Sequence, residues 1–322
     1  MKAAVLHKFG ETPRYEDFAD PSPGKNEVLI HVKAVALENV DQMIARGEHF
    51  ASRQFLSELP AIVGLRGVGE RSDGKLVGFS GAKSPYGAMA EKAVVSKESI
   101  VLVPDGVSAE EAVALPPAAL TSLFPLKWGA KMKPGETVLI NGATGIAGKL
   151  AVQIAKLLGA GRVIGTGRNE ESLQRIKELG ADTVLNLKQS EDNLSASFKK
   201  EVDEGIDIIL DFLWGPPTET LLKSIVPKEI SLNGHRTHLV QIGEKAGSDL
   251  KLPASALRTS GLEISGGAAG ITPAFIEEGT NLIWKWLKEG KLHMDMENVL
   301  LQDIENVWNC SDFQGKRIVI HP

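Results

Sequence analysis

Residues 133–159, KPGETVLINGATGIAGKLAVQIAKLLG, constrain the fold of this chain more than any other stretch. A turn at Pro134 and Gly135 leads into a short apolar run, Val138, Leu139 and Ile140. Three glycines come next, Gly142, Gly145 and Gly148, and then apolar residues at Ile146, Leu150, Ile154 and Leu157. The hydrophobic period changes from that of a strand to that of a helix across the glycines. This order predicts the first strand, loop and helix of a dinucleotide-binding fold, in which glycines let the backbone meet a diphosphate at a helix N-terminus. The loop departs from the usual glycine fingerprint because Ala143 takes the first glycine position of Ala143-x-Gly145-x-x-Gly148. A kinase-type phosphate loop is excluded, since Leu150 comes after Lys149 where a hydroxyl residue would be needed for magnesium.

The rest of the chain falls into two grammars. Up to about residue 119, short β-like runs at 3–6, 28–35, 76–79, 93–95 and 100–103 alternate with Gly, Pro and Ser, which predicts a β-rich domain. From Ser122 onward, apolar strands at 162–167, 182–186, 206–212, 237–243 and 262–267 alternate with helical segments, the pattern of a parallel sheet covered on both faces. A helix over 272–289 and a strand over 316–320 close the chain, with Ile276, Ile283, Trp286 and Leu287 of that helix expected in a core.

Composition limits the partners. With 322 residues, 43% of them hydrophobic, and a formal net charge of -5, the chain is long enough for two domains and carries no basic stripe. Nucleic acid and an anionic membrane surface are therefore not expected as partners. No apolar run spans a bilayer and the start, MKAAVLHKFGETP, lacks a signal-peptide pattern, so a cytoplasmic location is expected. The single cysteine, Cys310, excludes an internal disulfide and is expected to be an inert buried thiol. The seven histidines show no metal-ligand spacing.

The choice of cofactor is read at the end of the second strand of the predicted sheet, about twenty residues past the glycine loop. There the sequence offers Gly167, Arg168 and Asn169 rather than an acid. A guanidinium at this point pairs with a 2′-phosphate, which favours NADP over NAD. A solvated surface arginine is the competing reading, and Glu170 and Glu171 nearby weaken the positive field.

Taken together, PSPGKNEVLIHVKAVAL, VPDGVSAEEAVALP, residues 133–159, GIDIILDF with Gly215 after it, and the closing GKRIVI occur in a specific order. In this the chain resembles the medium-chain dehydrogenase/reductases, and among them the zinc-free quinone oxidoreductases. The resemblance implies a Rossmann-type doubly wound parallel sheet, residues 122–270, inserted in a β-rich GroES-like catalytic domain made of residues 1–121 and 271–322. It implies an NADPH-dependent oxidoreductase that delivers hydride to a quinone or to an enone or enal. Reduction of a simple carbonyl, with Glu38 or His49 as acid, and a nucleotide-binding sensor without turnover remain as alternatives.

The resemblance also implies where the cofactor lies. The backbone of Ala143, Thr144, Gly145, Ile146 and Ala147 is expected at the diphosphate, with Gly167 and Arg168 at the adenosine ribose. Phe212, Leu213, Gln241, Ile242 and Gly243 are expected along the crevice, Gly266, Gly267 and Thr121 near the nicotinamide, and Lys316 as a further contact. A homodimer joined through the strand near 262–267 is expected by analogy with the family.

In zinc-dependent relatives a Cys-x-x-Asp segment and a Gly-His-Glu segment supply metal ligands. Here these places read Glu38-Asn39-Val40-Asp41 and Gly64-Leu65-Arg66, so catalytic zinc is not expected. The chain also departs from its zinc-free relatives. Glu38 and Asn39 replace Asn and Pro, Arg66 replaces a usual acid, His49 and Phe50 stand where an aromatic is usual, and Met89 stands in place of a tyrosine. Glu38 and Arg66 are expected to pair. Either they form a buried ion pair filling the vacant metal position, or Arg66 binds an anionic group or an enolate while Glu38 or His49 relays a proton. Asn39, Asp41 and Tyr86 complete the candidate catalytic set.

Overall fold

The structure is a computed structural model that describes residues 1–227, 235–310 and 315–322. The chain divides into two compact units, Met1–Pro116 with Asp295–Pro322, and Pro117–Met294.

In the second unit, six parallel strands form one sheet in the spatial order Thr183–Asn186, Arg162–Gly167, Thr137–Asn141, Ile208–Asp211, Thr237–Gln241 and Leu262–Gly266. The chain thus starts in the middle, winds to one edge, returns and winds to the other, which is the doubly wound order of a Rossmann-type sheet. Val138, Leu139, Ile140, Ile209 and Leu210 are fully buried, as strands covered on both faces require. Phe198 from the helix Glu191–Glu204 and Leu221 and Leu222 from the helix Gly215–Ile225 join Leu139, Ile164, Ile209 and Leu239 in one core.

The boundary between the units differs from the expected cut at 121/122 and 270/271. The helix Pro273–Lys288 belongs with the second unit, because its Gly279 lies flat against Leu120, in the helix Ala109–Phe124, and against Trp128. A Cβ on Gly279 would stand 2.8 Å from Leu120 and 3.4 Å from Trp128, and Phe275 stacks on Trp128 at 5.0 Å. Ile283 and Trp286 of this helix are buried as expected. Ile276 is not: in the first turn it is Phe275, the residue before it, that packs on Trp128, and Ile276 is 45% exposed.

In the first unit, the strand Glu27–Ala36 is central. It pairs antiparallel with Arg317–His321, with Arg66–Glu70 and with Lys92–Ser96, and the sheet continues outward to Met296–Leu300 on one side and to Leu76–Ser80 and Ile100–Leu102 on the other. A smaller sheet of Arg14–Asp17, Lys2–Leu6 and Ala61–Ile62 joins it. Leu6, Ile30, Val35, Ile44, Met89 and Trp308 are buried in its core. Ile304 and Trp308 point inward one helical turn apart, so Cys310, two residues on, faces outward. The cysteine is exposed, contrary to the expected buried thiol.

Candidate functional site

The glycine loop of the second unit uses its glycines for different purposes. Gly142 adopts φ +92°, in the left-handed region, and ends the first strand. Gly148 has no room for a side chain, since a Cβ would lie 2.3 Å from the Gly142 carbonyl oxygen and 2.6 Å from the Ala143 Cα. Gly145 meets nothing closer than 3.7 Å and is exposed as the N-cap of the helix Ile146–Leu157. The first intrahelical bond is Lys149 N–H to the Gly145 carbonyl, which leaves the N–H groups of Ile146 and Ala147 without helical acceptors. Two backbone donors and the positive end of a helix dipole are therefore presented to an anion beside an open glycine.

Ala143 is engaged differently from its expected role. Its side chain is fully buried and its N–H donates to the Thr166 carbonyl at 2.9 Å, so it holds the loop to the neighbouring strand rather than offering a donor to a ligand. Thr144 packs on that strand as well: a Cβ on Gly167 would fall 2.2 Å from the Thr144 methyl. The next residue, Arg168, is exposed and makes no hydrogen bond or ion pair among the described residues. Its acidic neighbour Glu170 accepts instead from Asn186, and Asn169 caps the next helix by accepting from Ser172 N–H at 2.8 Å.

Beneath the loop lies a buried polar network absent from the expected site. Asn141 Nδ2 donates to Asp211 Oδ1 and to Thr218 Oγ1, both at 3.1 Å. Thr218 donates to Asp211 Oδ2 at 2.7 Å, and Asp211 Oδ1 also accepts from the N–H groups of Leu213 and Trp214 at 3.0 and 3.1 Å. Thr166 donates to Asn141 Oδ1 at 2.8 Å and accepts from Gly142 N–H at 2.9 Å. Burial raises the Asp211 pKa, with the bonds from Thr218, Leu213, Trp214 and Asn141 opposing it. The sequence carried a signal for this network: three of the apolar strands carry a polar residue at or next to their last position, in VLIN, VIGTG and IILD.

Phe212, Leu213, Gln241, Ile242 and Gly243 lie at or just past the ends of two adjacent strands and are partly exposed. Gly243 has no space for a side chain, 2.7 Å from the Phe212 carbonyl, and Gln241 Nε2 donates to the Gly243 carbonyl at 3.2 Å. Gly266 ends the edge strand and Gly267 N–H donates to the Gln241 carbonyl at 2.7 Å. These residues gather where ligands of open α/β sheets bind, outside the carboxyl ends of the strands. Thr121 is exposed with its hydroxyl turned back onto the Ala118 carbonyl at 2.7 Å. Lys316 lies in the first unit, paired with Glu297 at 3.0 Å on the surface.

In the first unit, the strand geometry builds the second half of the candidate set. The central strand Glu27–Ala36 runs out into Leu37 and Glu38, and Glu38 precedes the helix Asn39–Arg46. Arg66 opens the strand on one side and Arg317 the strand on the other. Glu38 Oε2 lies 3.2 Å from Arg66 Nε, and Glu38 Oε1 lies 4.0 Å from an Arg317 terminal nitrogen. The expected pairing of Glu38 with Arg66 is thus present. Arg317 is a third member that sequence reasoning missed; its signal was a charge inside an apolar terminal strand, KRIVI.

Asp41 is 4% exposed and accepts from Glu38 N–H and Leu65 N–H, both at 3.0 Å. Burial, and then the charge of Glu38, raise its pKa to about 7 against those two backbone donors and Arg66. Asp41 also lines a small cleft with Ile44, Phe55, Leu56, Leu65 and Tyr86. Tyr86 packs edge-on against Phe18. His49 is partly exposed, accepts from Ala51 N–H at 3.2 Å and lies against Phe50, and has no contact with Glu38 or Arg66 among the described residues. Asn39 is exposed in the first turn of the helix, and Met89 is fully buried.

Comparison with known proteins agrees with this arrangement. The family model described as zinc-binding dehydrogenase matches residues 147–251. Over 223 residues the chain is 31% identical to quinone oxidoreductase from Sus scrofa, a match that spans 66% of each protein. Over 254 residues it is 28% identical to acryloyl-coenzyme A reductase from Sulfurisphaera tokodaii, covering 70% of this chain and 74% of that one. The crystal structure of quinone oxidoreductase from Thermus thermophilus, known also in complex with NADPH, matches with a TM-score of 0.81 at 26% identity, with both chains fully covered. The chain belongs to the medium-chain dehydrogenase/reductase superfamily, quinone oxidoreductase type. Its second unit is the Rossmann-type sheet of that superfamily and its first is the β-rich GroES-like unit.

Zinc is the metal that the wider superfamily implies, and the residues here do not fit it. Among the described residues, no three His, Cys, Asp or Glu side chains gather as a metal site. The carboxylate nearest the corresponding position, Glu38, is flanked by two guanidiniums, whose charge repels a divalent cation.

Proposed function

We propose that this superfamily member is an NADPH-dependent, zinc-independent reductase that delivers hydride to a quinone or to the β-carbon of an α,β-unsaturated carbonyl. The observation that carries the cofactor assignment is Arg168, an exposed guanidinium, unpaired among the described residues, at the end of the second strand and directly after the point where that strand touches the glycine loop. It suits a 2′-phosphate. When bound, NADPH supplies the hydride.

The chain's own residues would bind, orient and exclude water. The N–H groups of Ile146 and Ala147 would hold the diphosphate, and Thr144 and Gly145 would leave it space. Phe212, Leu213, Gln241, Ile242, Gly243, Gly266, Gly267 and Thr121 would border the rest of the dinucleotide. In the first unit, Asp41 and its largely apolar neighbours line a small cleft, and Arg66 comes directly after the cleft residue Leu65. Positive charge there favours a substrate whose oxygen gains negative charge on reduction. Glu38 lies against two guanidiniums, and a proton from solvent or a side chain completes the reduction. The edge strand Leu262–Gly266 is the surface we assign to a homodimer, on its place at the end of the sheet and on family analogy alone.

Stopped-flow oxidation of NADPH, with an enone, a quinone and an aldehyde offered in turn, tests the reading. Turnover with the enone or the quinone, and none with the aldehyde, is expected. Turnover with the aldehyde alone would replace it with simple carbonyl reduction, and tight NADPH binding without turnover would leave a nucleotide-binding protein.

A further inference from the structure

The two arginines beside Glu38 have more donors than the fold gives them acceptors. Each guanidinium carries five N–H groups. Arg317 is 8% exposed, yet its one hydrogen bond among the described residues is from Nη1 to the Leu37 carbonyl at 3.2 Å. Its Nε is buried with no partner, and so is the Nε of Arg66, whose approach to Glu38 is close but poorly aimed for a hydrogen bond. The other acid in the cluster, Asp41, accepts from a backbone N–H group on each oxygen and makes no hydrogen bond to either arginine among the described residues. Burial lowers the Arg317 pKa, with Glu38 and Asp41 opposing. The outer part of Arg66 faces solvent: its side chain is 42% exposed and makes no hydrogen bond there among the described residues.

A single carboxylate held between two guanidiniums, one of them with its fork open to solvent, leaves a place for a second carboxylate. We infer that Arg66, backed by the buried Arg317, is a subsite for a carboxylate borne by the substrate. This rests on the reductase reading above and narrows it, from quinones and enones in general to α,β-unsaturated carbonyl compounds that carry an acidic group. Glu38 takes a positioning role: its charge lies on the Nε side of the Arg66 guanidinium, at 3.2 Å, and leaves the terminal nitrogens for a bidentate contact.

The test compares two enones of similar shape, 3-penten-2-one and 4-oxo-2-pentenoate, in which a methyl group is exchanged for a carboxylate. A charge-assisted bidentate contact predicts a kcat/KM for the carboxylate at least roughly tenfold higher. Arg66→Met should bring the ratio to about one. Arg66→Lys, which keeps the charge without the fork, should give an intermediate ratio and decides the matter if the methionine variant does not fold. A parent ratio near one, or an unchanged ratio in the variants, overturns the subsite while leaving the reductase intact.

Should neither enone oxidise NADPH, the reductase reading fails and binding decides the subsite separately. Calorimetry of the NADP-loaded protein with 4-oxopentanoate and with 2-pentanone should then show carboxylate-dependent binding that weakens in Arg66→Lys. Equal affinities for the two would overturn the subsite.

Discussion

The two units each bury a polar cluster, and the clusters are built on opposite terms. Under the glycine loop, Asn141, Thr166, Asp211 and Thr218 are all buried, and Asp211 alone accepts four hydrogen bonds from protein donors. Around Glu38, four charged side chains meet, and two arginine Nε atoms are left without a hydrogen bond. A saturated network rigidifies the chain that carries it, whereas a charged cluster short of acceptors holds electrostatic strain that a ligand can relieve. The first suits a cradle for a ligand whose shape never varies. The second suits recognition of whatever that cradle's ligand reduces.

Breaking the saturated cluster should have the largest effect. Asp211→Ala removes the acceptor for the buried Thr218 hydroxyl and for the partly buried Leu213 and Trp214 N–H groups, and one of the two acceptors of Asn141 Nδ2. At about 1–3 kcal/mol for an unsatisfied buried group, the loss should be about 2–4 kcal/mol. Urea unfolding of parent and variant checks this. A loss below about 1 kcal/mol would mean that the network is not holding the strand ends, and the contrast between the clusters would fail.

The charged cluster should reveal itself through pH rather than through simple loss. The Asp41 pKa is raised in the folded protein from its usual 3.8 to about 7. Between those values the folded chain holds a proton that the unfolded chain has released, so stability falls as pH rises from about 4 to about 7 and is level above that. The span of that fall is at most about 4 kcal/mol. Asp41→Asn resembles the protonated acid and should flatten the Asp41 share of the slope, leaving the variant more stable than the parent above about pH 7. Unfolding midpoints at about pH 4.5, 6 and 7.5 measure this, and parallel slopes for the two proteins would show that Asp41 ionises freely.

Sequence revealed the sheet and concealed much of the sites, for physical reasons. Runs such as VLI and IDIIL are continuous because their strands are covered on both faces, so each strand of the doubly wound sheet announced itself. Gly148 was legible for a similar reason: a helix pressed within a Cβ's reach of the loop backbone tolerates no other residue. Arg317 was not, because it joins Glu38 through a pairing of strands far apart in the chain, and no local period records that. The Asp211 network was half-visible, in polar residues at strand ends, but its partners come from three strands and one helix. At Ala143 the glycine fingerprint pointed to a ligand, and the fold adds a second use that no local pattern records: its N–H is bound to the Thr166 carbonyl. The same limit applies to Cys310, whose outward direction results from the inward turn of Ile304 and Trp308.

The smallest effect should come from the one arginine that belongs to neither cluster yet borders the cofactor crevice. Arg168 is exposed and without a partner among the described residues, so Arg168→Ala should cost the fold almost nothing and leave the melting temperature within about 1 °C of the parent. Its consequence should be confined to the cofactor. Loss of a guanidinium on a solvent-exposed phosphate weakens binding by about 1.4 kcal/mol, which is roughly a tenfold rise in KM for NADPH, while KM for NADH, with no 2′-phosphate, should stay as it is. Equal rises for the two cofactors would assign Arg168 to general attraction of anions, and no rise for either would make it a solvated surface side chain. Either result would move cofactor choice to other residues at the strand ends, and would restrict the role of the saturated cluster to holding the diphosphate loop.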